Sequence, residues 1–297
     1  LDITDAVHDG ANELTVAVKD RSDTSYHAKG KQKLKAGGMF YTAQSGIWQT
    51  VWMEYVPEVY ITELEGIPDI DRNVVRICVH ASEPEQKCRI TVHQAAIYPE
   101  AMECSEDVFD MFEIPETVIT ETKGNTSAWI EIPVPDVRLW TCEEPYLYYY
   151  KVTMGEDQII SYFAMQKFSL EPDAETEGFP RICLNGKEQF QNGVLDQGYW
   201  PEGLYTPPCD EAFIFDITEM KKTGFNMVRK HIKIEPQRWY YHCDRLGIVV
   251  WQDMVNGGER YKHWFVTYLA TVMSWLKIPM RDIYPSQIGR ASCRERV

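Results

Sequence analysis

Long apolar runs are missing from this 297-residue chain. Crossing a bilayer as a helix takes roughly 20 consecutive apolar residues, and the nearest approach, residues 264–278, is shorter and carries Lys277. A basic excess is missing as well. Lys and Arg number 30 against 45 Asp and Glu, a formal charge of −15. The acids are scattered rather than gathered in a tail, so they read as a solvated surface, and nucleic acid is not an expected partner. The eight cysteines contain no C-x-x-C pair, which removes the usual spacing of a zinc or redox site, and a chain of this length does not need disulfides for stability. Buried thiols in a reducing, cytoplasmic setting are the expectation. Also absent are H-E-x-x-H, G-x-S-x-G and a G-x-G-x-x-G turn between strand and helix, so no metal, no serine nucleophile and no cofactor is expected.

What is present falls into segments of different periodicity. In residues 1–57 the pattern is strands and turns: Leu14, Val16 and Val18 alternate with polar neighbours, and residues 47–56 mix β-branched and aromatic side chains, so both stretches are expected as strands. Residues 58–169 hold strand candidates at 59–64, 74–81, 88–93, 128–132, 147–154 and 158–163, a spacing that suggests an immunoglobulin-like sandwich. Tyr146, Tyr148, Tyr149 and Tyr150 admit a sugar platform, but strand-borne tyrosines more often pack a sheet. From residue 170 helices appear. Asn185-Gly186 signals a hairpin, Gly193-Val194-Leu195 a short strand, and Asp210 the capping residue of a helix with Phe213, Ile217 and Met220 on one face until Gly224. A strand at 225–229, a helix opened by Glu235-Pro236 with Trp239, Cys243 and Leu246 on one face, and a strand at 248–251 complete a βαβαβ order. Such an order fits either a doubly wound sheet or the opening of a (β/α)8 barrel; the lack of a dinucleotide fingerprint tilts it to the barrel. Both ends look cut. Leu1 is not an initiator Met, and residues 288–297 change composition and look like a translated sequencing adapter, which sets them outside fold reasoning.

In parallel βα architectures the functional face lies at the carboxyl ends of the strands. Three clusters fall there: Asp196, Gln197 and Trp200 after the first strand, Arg229, His231 and Lys233 after the second, and Trp251, Gln252 and Asp253 at the third. Carboxylates, amides, a guanidinium and indoles are what a pyranose needs, because its hydroxyls take paired polar partners and its C–H face takes an aromatic wall. Each residue also has a structural reading: Asp196 holding its own turn, Arg229 bridging to Asp253, Trp251 filling space.

Short motifs run through all three segments in order. Ser45-Gly46-Ile47-Trp48-Gln49-Thr50-Val51-Trp52, Leu139-Trp140 with Glu144-Pro145-Tyr146-Leu147-Tyr148, Leu184-Asn185-Gly186-Lys187, Gly224-Phe225-Asn226-Met227-Val228-Arg229, Cys243-Asp244-Arg245-Leu246-Gly247 and Val250-Trp251-Gln252-Asp253 resemble glycoside hydrolase family 2, whose members include β-galactosidase, β-glucuronidase and β-mannosidase. The resemblance implies a multidomain β plus α/β fold. Its parts would be the end of a jelly-roll sugar-binding domain in 1–57, an immunoglobulin-like sandwich in 58–169 and the first three or so βα units of a catalytic TIM barrel in 170–287. It also implies retaining hydrolysis of terminal β-glycosides by two glutamates about 5 Å apart, one following an Asn after the fourth barrel strand and one on the seventh. Neither is expected within this chain, which should be inactive alone; Glu235 and Glu259 match a helix start and a loop. The parent could be a homo-oligomer. Leu195-Asp196-Gln197 and Lys230-His231-Ile232-Lys233 depart from the Asn-Arg-His and Ser-His-Tyr-Pro of many relatives, which leaves the sugar open with a lean to β-galactosidase. The competing reading is a noncatalytic carbohydrate-binding protein of β-sandwiches with a degenerate barrel.

Overall fold

The computed structural model describes residues 2–24, 28–94, 114, 116–172, 178–255 and 295–296. Cys104, Cys293, His27, Glu259, the 264–278 run and most of the 288–297 tail lie outside the described residues.

Strand-forming residues make a strand only where a second backbone takes up their N–H and C=O groups. In the first 57 residues this happens at β1 (Gln32–Lys33) and β2 (Tyr41–Thr42), paired in parallel. The strands expected at 13–18 and 47–56 are not formed: among the described residues no strand runs alongside them, and Leu14, Val16, Val18, Val51 and Trp52 are exposed. Alternation marks a face, but the partner is a non-local matter.

The next strands are β3 (Ile61–Asp69), β4 (Val74–Ala81), β5 (Lys87–His93), β6 (Val118–Asn125), β7 (Trp129–Pro133), β8 (Tyr148–Met154) and β9 (Asp157–Phe163). They form two antiparallel sheets, β3-β4-β7 and β9-β8-β5-β6. One core joins them, with Val75, Ile77 and Val79 from the first sheet meeting Ile90, Val92, Tyr148, Tyr150 and Val152 from the second. Tyr148, Tyr149 and Tyr150 are buried, so they pack the sheets rather than present a platform. Strand β6, unforeseen, is an edge strand of alternating half-buried and exposed residues whose polar composition hides its pairing.

Strands β10 (Phe168–Pro172), β11 (Pro180–Leu184) and β12 (Lys187–Glu188) make a small antiparallel sheet. Its tight turn is Asn185-Gly186, at φ 53° and 75°, the two left-handed positions a type I′ hairpin requires. Beyond it run β13 (Gly193–Asp196), α1 (Asp210–Lys222), β14 (Met227–Lys230), α2 (Gln237–Leu246) and β15 (Val249–Gln252). The three strands are parallel in sequence order, with Val194, Val228 and Val250 level. Helix α1 ends where expected: Gly224, at φ 93°, donates to Lys221 O and Phe225 donates to Met220 O, closing the last turn. Its start differs from expectation, since Cys209 is the N-cap and Asp210 instead takes Arg238 at 2.7 Å and His242 at 3.3 Å. Both helices pack on one face of the sheet, where Phe213, Ile217, Trp239 and Cys243 share a core with Val228, Ile248, Val194 and Val250. On the opposite face Leu195, Arg229 and Trp251 are exposed among the described residues, while Val249 and Met227 meet the core shared with the sandwich. The two-residue strand β16 (Glu295–Arg296) lies along β9, as an unpaired sheet edge accepts any extended segment.

The sandwich and the parallel strands are joined by a third core of Trp140, Leu147, Tyr149, Tyr162, Leu184, Tyr241 and Val249. Trp140 Nε1 donates to Asp244 O at 2.7 Å, Tyr162 Oη donates to Asp244 Oδ2 at 2.9 Å, and Asn185 Nδ2 donates to Trp140 O at 2.9 Å. Burial pushes the Asp244 carboxyl up to about 7, the Tyr162 hydrogen bond opposing only weakly. A carboxyl raised on folding contributes fully below its ordinary value near 3.8 and loses that contribution as pH rises through about 7. Asp244→Asn is therefore expected to match the parent chain near pH 4 and to exceed it at pH 8 by about 1–2 kcal/mol, discounted for partial exposure. Urea midpoints across that range check this; a difference that does not change with pH would refute it.

The described cysteines, Cys78, Cys88, Cys142, Cys183, Cys209 and Cys243, are free thiols, and all but Cys209 are buried. Among the described residues no helix is long and apolar enough to cross a membrane.

Candidate functional site

At the carboxyl ends of β13, β14 and β15 the period of two separates two sets of side chains. Lys230 shares the helix side with Val228. It is buried against the Trp239 ring, 4.1 Å from its centroid, and donates to Asp196 Oδ2 at 2.5 Å and Glu235 Oε1 at 2.9 Å. Burial disfavours the ammonium, but Glu235 and Asp196 outweigh it and hold its pKa above the usual lysine range. Lys233 reaches the same Glu235 oxygen at 2.8 Å and donates to Gly198 O at 2.5 Å and Tyr205 O at 2.7 Å. Here burial prevails and the pKa is lowered. The loop closes tightly over this network: a Cβ on Gly198, at φ 63°, would lie 2.2 Å from Glu235 Oε1. Between the two lysines Ile232 sits at φ 46°, an uncommon conformation for a β-branched residue and a strain that surrounding bonds must hold.

The second set faces the open side. Arg229 makes a two-pronged contact with Asp253, Nε to Oδ1 at 3.1 Å and Nη2 to Oδ2 at 3.0 Å, and His231 Nδ1 lies 2.6 Å from Asp253 Oδ2. Partial burial pushes the Asp253 carboxyl up, but the bonds from Arg229 and His231 prevail and hold it below the usual range. Arg229 is half exposed at the side chain, and Trp251, 46% exposed, anchors its Nε1 on Gln191. Among the described residues this is a charged pair beside an indole, both partly exposed.

Residues 28–50 lie across the same strand ends. Tyr205 N donates to Gln44 Oε1 at 2.9 Å, Thr206 Oγ1 to Trp48 O at 3.0 Å, and the Tyr41 ring stacks on Tyr199 at 3.9 Å. Lys233 Nζ lies 5.2 Å from the Trp48 ring and 4.5 Å from that of Tyr205, a cation held by aromatics of both segments.

The nine residues singled out from the sequence therefore divide. Arg229, His231, Trp251 and Asp253 stand together on the open side. Asp196 and Lys233 belong to the buried network. Gln252 lies with them, its Nε2 donating to Lys233 O at 2.8 Å and its Oε1 taking the Tyr240 hydroxyl. Trp200 packs on Phe213 in the helix-side core. Gln197 Oε1, Tyr199 Oη, Trp200 Nε1 and Glu235 Oε2 are buried without a hydrogen-bond partner, which makes this loop polar beyond what the protein itself satisfies. Sequence reasoning missed Lys230 as a separate actor and treated Glu235 as a helix start; strand parity around Val228 was the signal that places Lys230 towards the helices. Among the described residues no group of three or more His, Cys, Asp or Glu side chains could hold a metal ion.

Known proteins are similar to this chain in sequence and in fold. The chain is 28% identical over 278 residues to the β-galactosidase of Psychromonas ingrahamii, covering 92% of this chain and 25% of that protein. It is 26% identical over 214 residues to the β-galactosidase of Lactococcus lactis, covering 70% and 19%. Among solved structures it resembles a β-glucuronidase of Faecalibacterium prausnitzii with TM-score 0.51 and 21% identity, over 65% of this chain and 28% of that one. The chain is glycoside hydrolase family 2-like. No protein-family model matches it. This family 2-like chain spans about a quarter or less of the length of the curated relatives just named.

Proposed function

We propose that this chain is part of a retaining β-glycosidase, β-galactosidase-like in its sugar, with residues 1–57, 58–169 and 170–287 corresponding to jelly-roll, immunoglobulin-like and catalytic-barrel segments. The observation that carries the reading is the open face of the parallel strands. Both helices cover one side of β13-β14-β15 while Arg229, His231, Asp253 and Trp251 stand at the carboxyl ends of the other. Helices on a single face of parallel strands in sequence order are what a barrel wall requires; one half of a doubly wound sheet has them too, and the likeness to β-galactosidases and β-glucuronidases favours the barrel. The side chains at its mouth suit a pyranose, with an exposed indole for the C–H face and a guanidinium and carboxylate for hydroxyls. The curated β-galactosidases support the choice of sugar, and Asp196 holds the loop that borders the subsite.

Glu235 takes no part as acid/base or nucleophile. Its side chain is sealed from solvent and shared by two lysines, so no glycosidic oxygen can reach it. The chain by itself is expected to give no turnover on a panel of nitrophenyl β-glycosides. Hydrolysis that a single carboxylate substitution within these residues abolishes would overturn the assignment of both catalytic glutamates to other parts of the parent. The reading places no cofactor or metal in the reaction, takes carbohydrate as partner, and is compatible with a homo-oligomeric, cytoplasmic parent.

A further inference from the structure

Among the described residues, each of the cations Lys230, Lys233 and Arg229 at the strand ends is engaged by a carboxylate. Lys230 and Lys233 are buried and engaged by Asp196 and Glu235, and Arg229 is held by Asp253. Three cationic side chains thus meet three carboxylates, the third of which also takes His231. An anionic substituent on a sugar needs a cation with charge to spare and hydrogen bonds directed at its oxygens. At Arg229 it meets instead a carboxylate whose two oxygens lie 3.0–3.1 Å from the same guanidinium, with His231 2.6 Å from one of them. Like charges brought together there are unfavourable, whereas a neutral hydroxyl can still accept from the outer edge of the guanidinium.

We propose that Asp253 is a specificity-determining residue that makes this subsite select neutral pyranosides over uronates, by compensating Arg229. The proposal rests on the glycoside reading above and names its substrate class. Arg229 is half exposed and Trp251 stands level with it on the neighbouring strand, so the pair borders the surface a sugar would occupy. The carboxylate that engages Arg229 is itself held ionised by its two partners, which keeps the compensation in place at neutral pH.

The test uses the whole chain with two probes that differ only at C6, methyl β-D-galactopyranoside and its uronate, by ligand-observed NMR titration at pH 7.5. The chain is expected to bind the galactoside at least about tenfold more tightly, and Asp253→Asn, which keeps an acceptor for Arg229 and His231, to narrow the gap by about tenfold. A preference of the parent chain for the uronate, or a gap that Asp253→Asn leaves unchanged, overturns the proposal while glycoside binding stands. Binding of neither probe overturns the glycoside reading itself. Should Asp253→Asn fail to fold, Arg229→Gln reads the same balance from the other side: an uncompensated Asp253 widens the gap, and an unchanged gap counts against the proposal.

Discussion

Glu235→Ala is expected to lower the stability of the parallel-strand unit by about 3–5 kcal/mol, the usual cost of removing one member of a buried ion pair. Its carboxylate is the shared partner of Lys230 and Lys233, both buried. Lys230 would keep Asp196 at 2.5 Å. Lys233 would keep two backbone carbonyls and its aromatic neighbours, but no ionised carboxylate in hydrogen-bond contact. The large cost comes from the cations left behind, so the double variant Glu235→Ala with Lys233→Met is expected to recover at least half of it. Guanidinium midpoints followed through Trp239, whose ring carries Lys230, measure both changes. A single-variant loss below about 1 kcal/mol would mean that the network is hydrated and worth no more than a surface pair.

Trp140→Ala is expected to cost a similar amount, about 3–5 kcal/mol, for a different reason. The ring is almost wholly buried at the centre of the core that joins the sandwich to α2 and β15, and its loss leaves a cavity between them together with an unsatisfied Asp244 carbonyl. The two units would then be held by the thinned apolar core, the Tyr162–Asp244 bond at 2.9 Å, the Tyr149–Tyr241 hydroxyl contact at 3.1 Å and the bond from Lys221 Nζ to Cys142 O at 2.6 Å. Calorimetry should show one unfolding transition becoming two. Trp140→Phe keeps most of the buried area and loses the hydrogen bond, so about 1–2 kcal/mol and a single transition are expected. A single unshifted transition for the alanine variant would show that the sandwich and the parallel strands are joined elsewhere.

Trp140 shows why the motifs are legible in the sequence. Most of the motif side chains hold architecture rather than ligand. Trp140 and Asn185 are bonded to one another, Asp244 receives Trp140 and Tyr162, and a Cβ on Gly247 would lie 2.4 Å from Cys142 O. Asn226 ties the approach to β13, accepting from Asn192 N at 2.9 Å and donating to Phe190 O at 2.8 Å. Such positions tolerate few residue types, so they leave a recognisable string even where identity is 21–28%. The positions proposed to face a ligand are fewer, and Arg229, His231 and Asp253 come from the ends of two strands whose juxtaposition no local pattern states.

By itself the sequence determined the βαβαβ order, the Asn185-Gly186 hairpin, the Gly224 helix stop and the six main strands of the sandwich. Each depends on local backbone preference or on a hydrophobic period within one element. Only the tertiary structure decided that residues 13–18 and 47–56 form no strands, that both helices cover one face, and that Lys230 and Asp196 turn towards them while Arg229 and Asp253 turn away. The physical reason is common to all three. A strand's hydrogen-bond partner, a sheet's covered face and a charge's counter-charge are supplied by residues distant in the chain, and only folding brings them within reach.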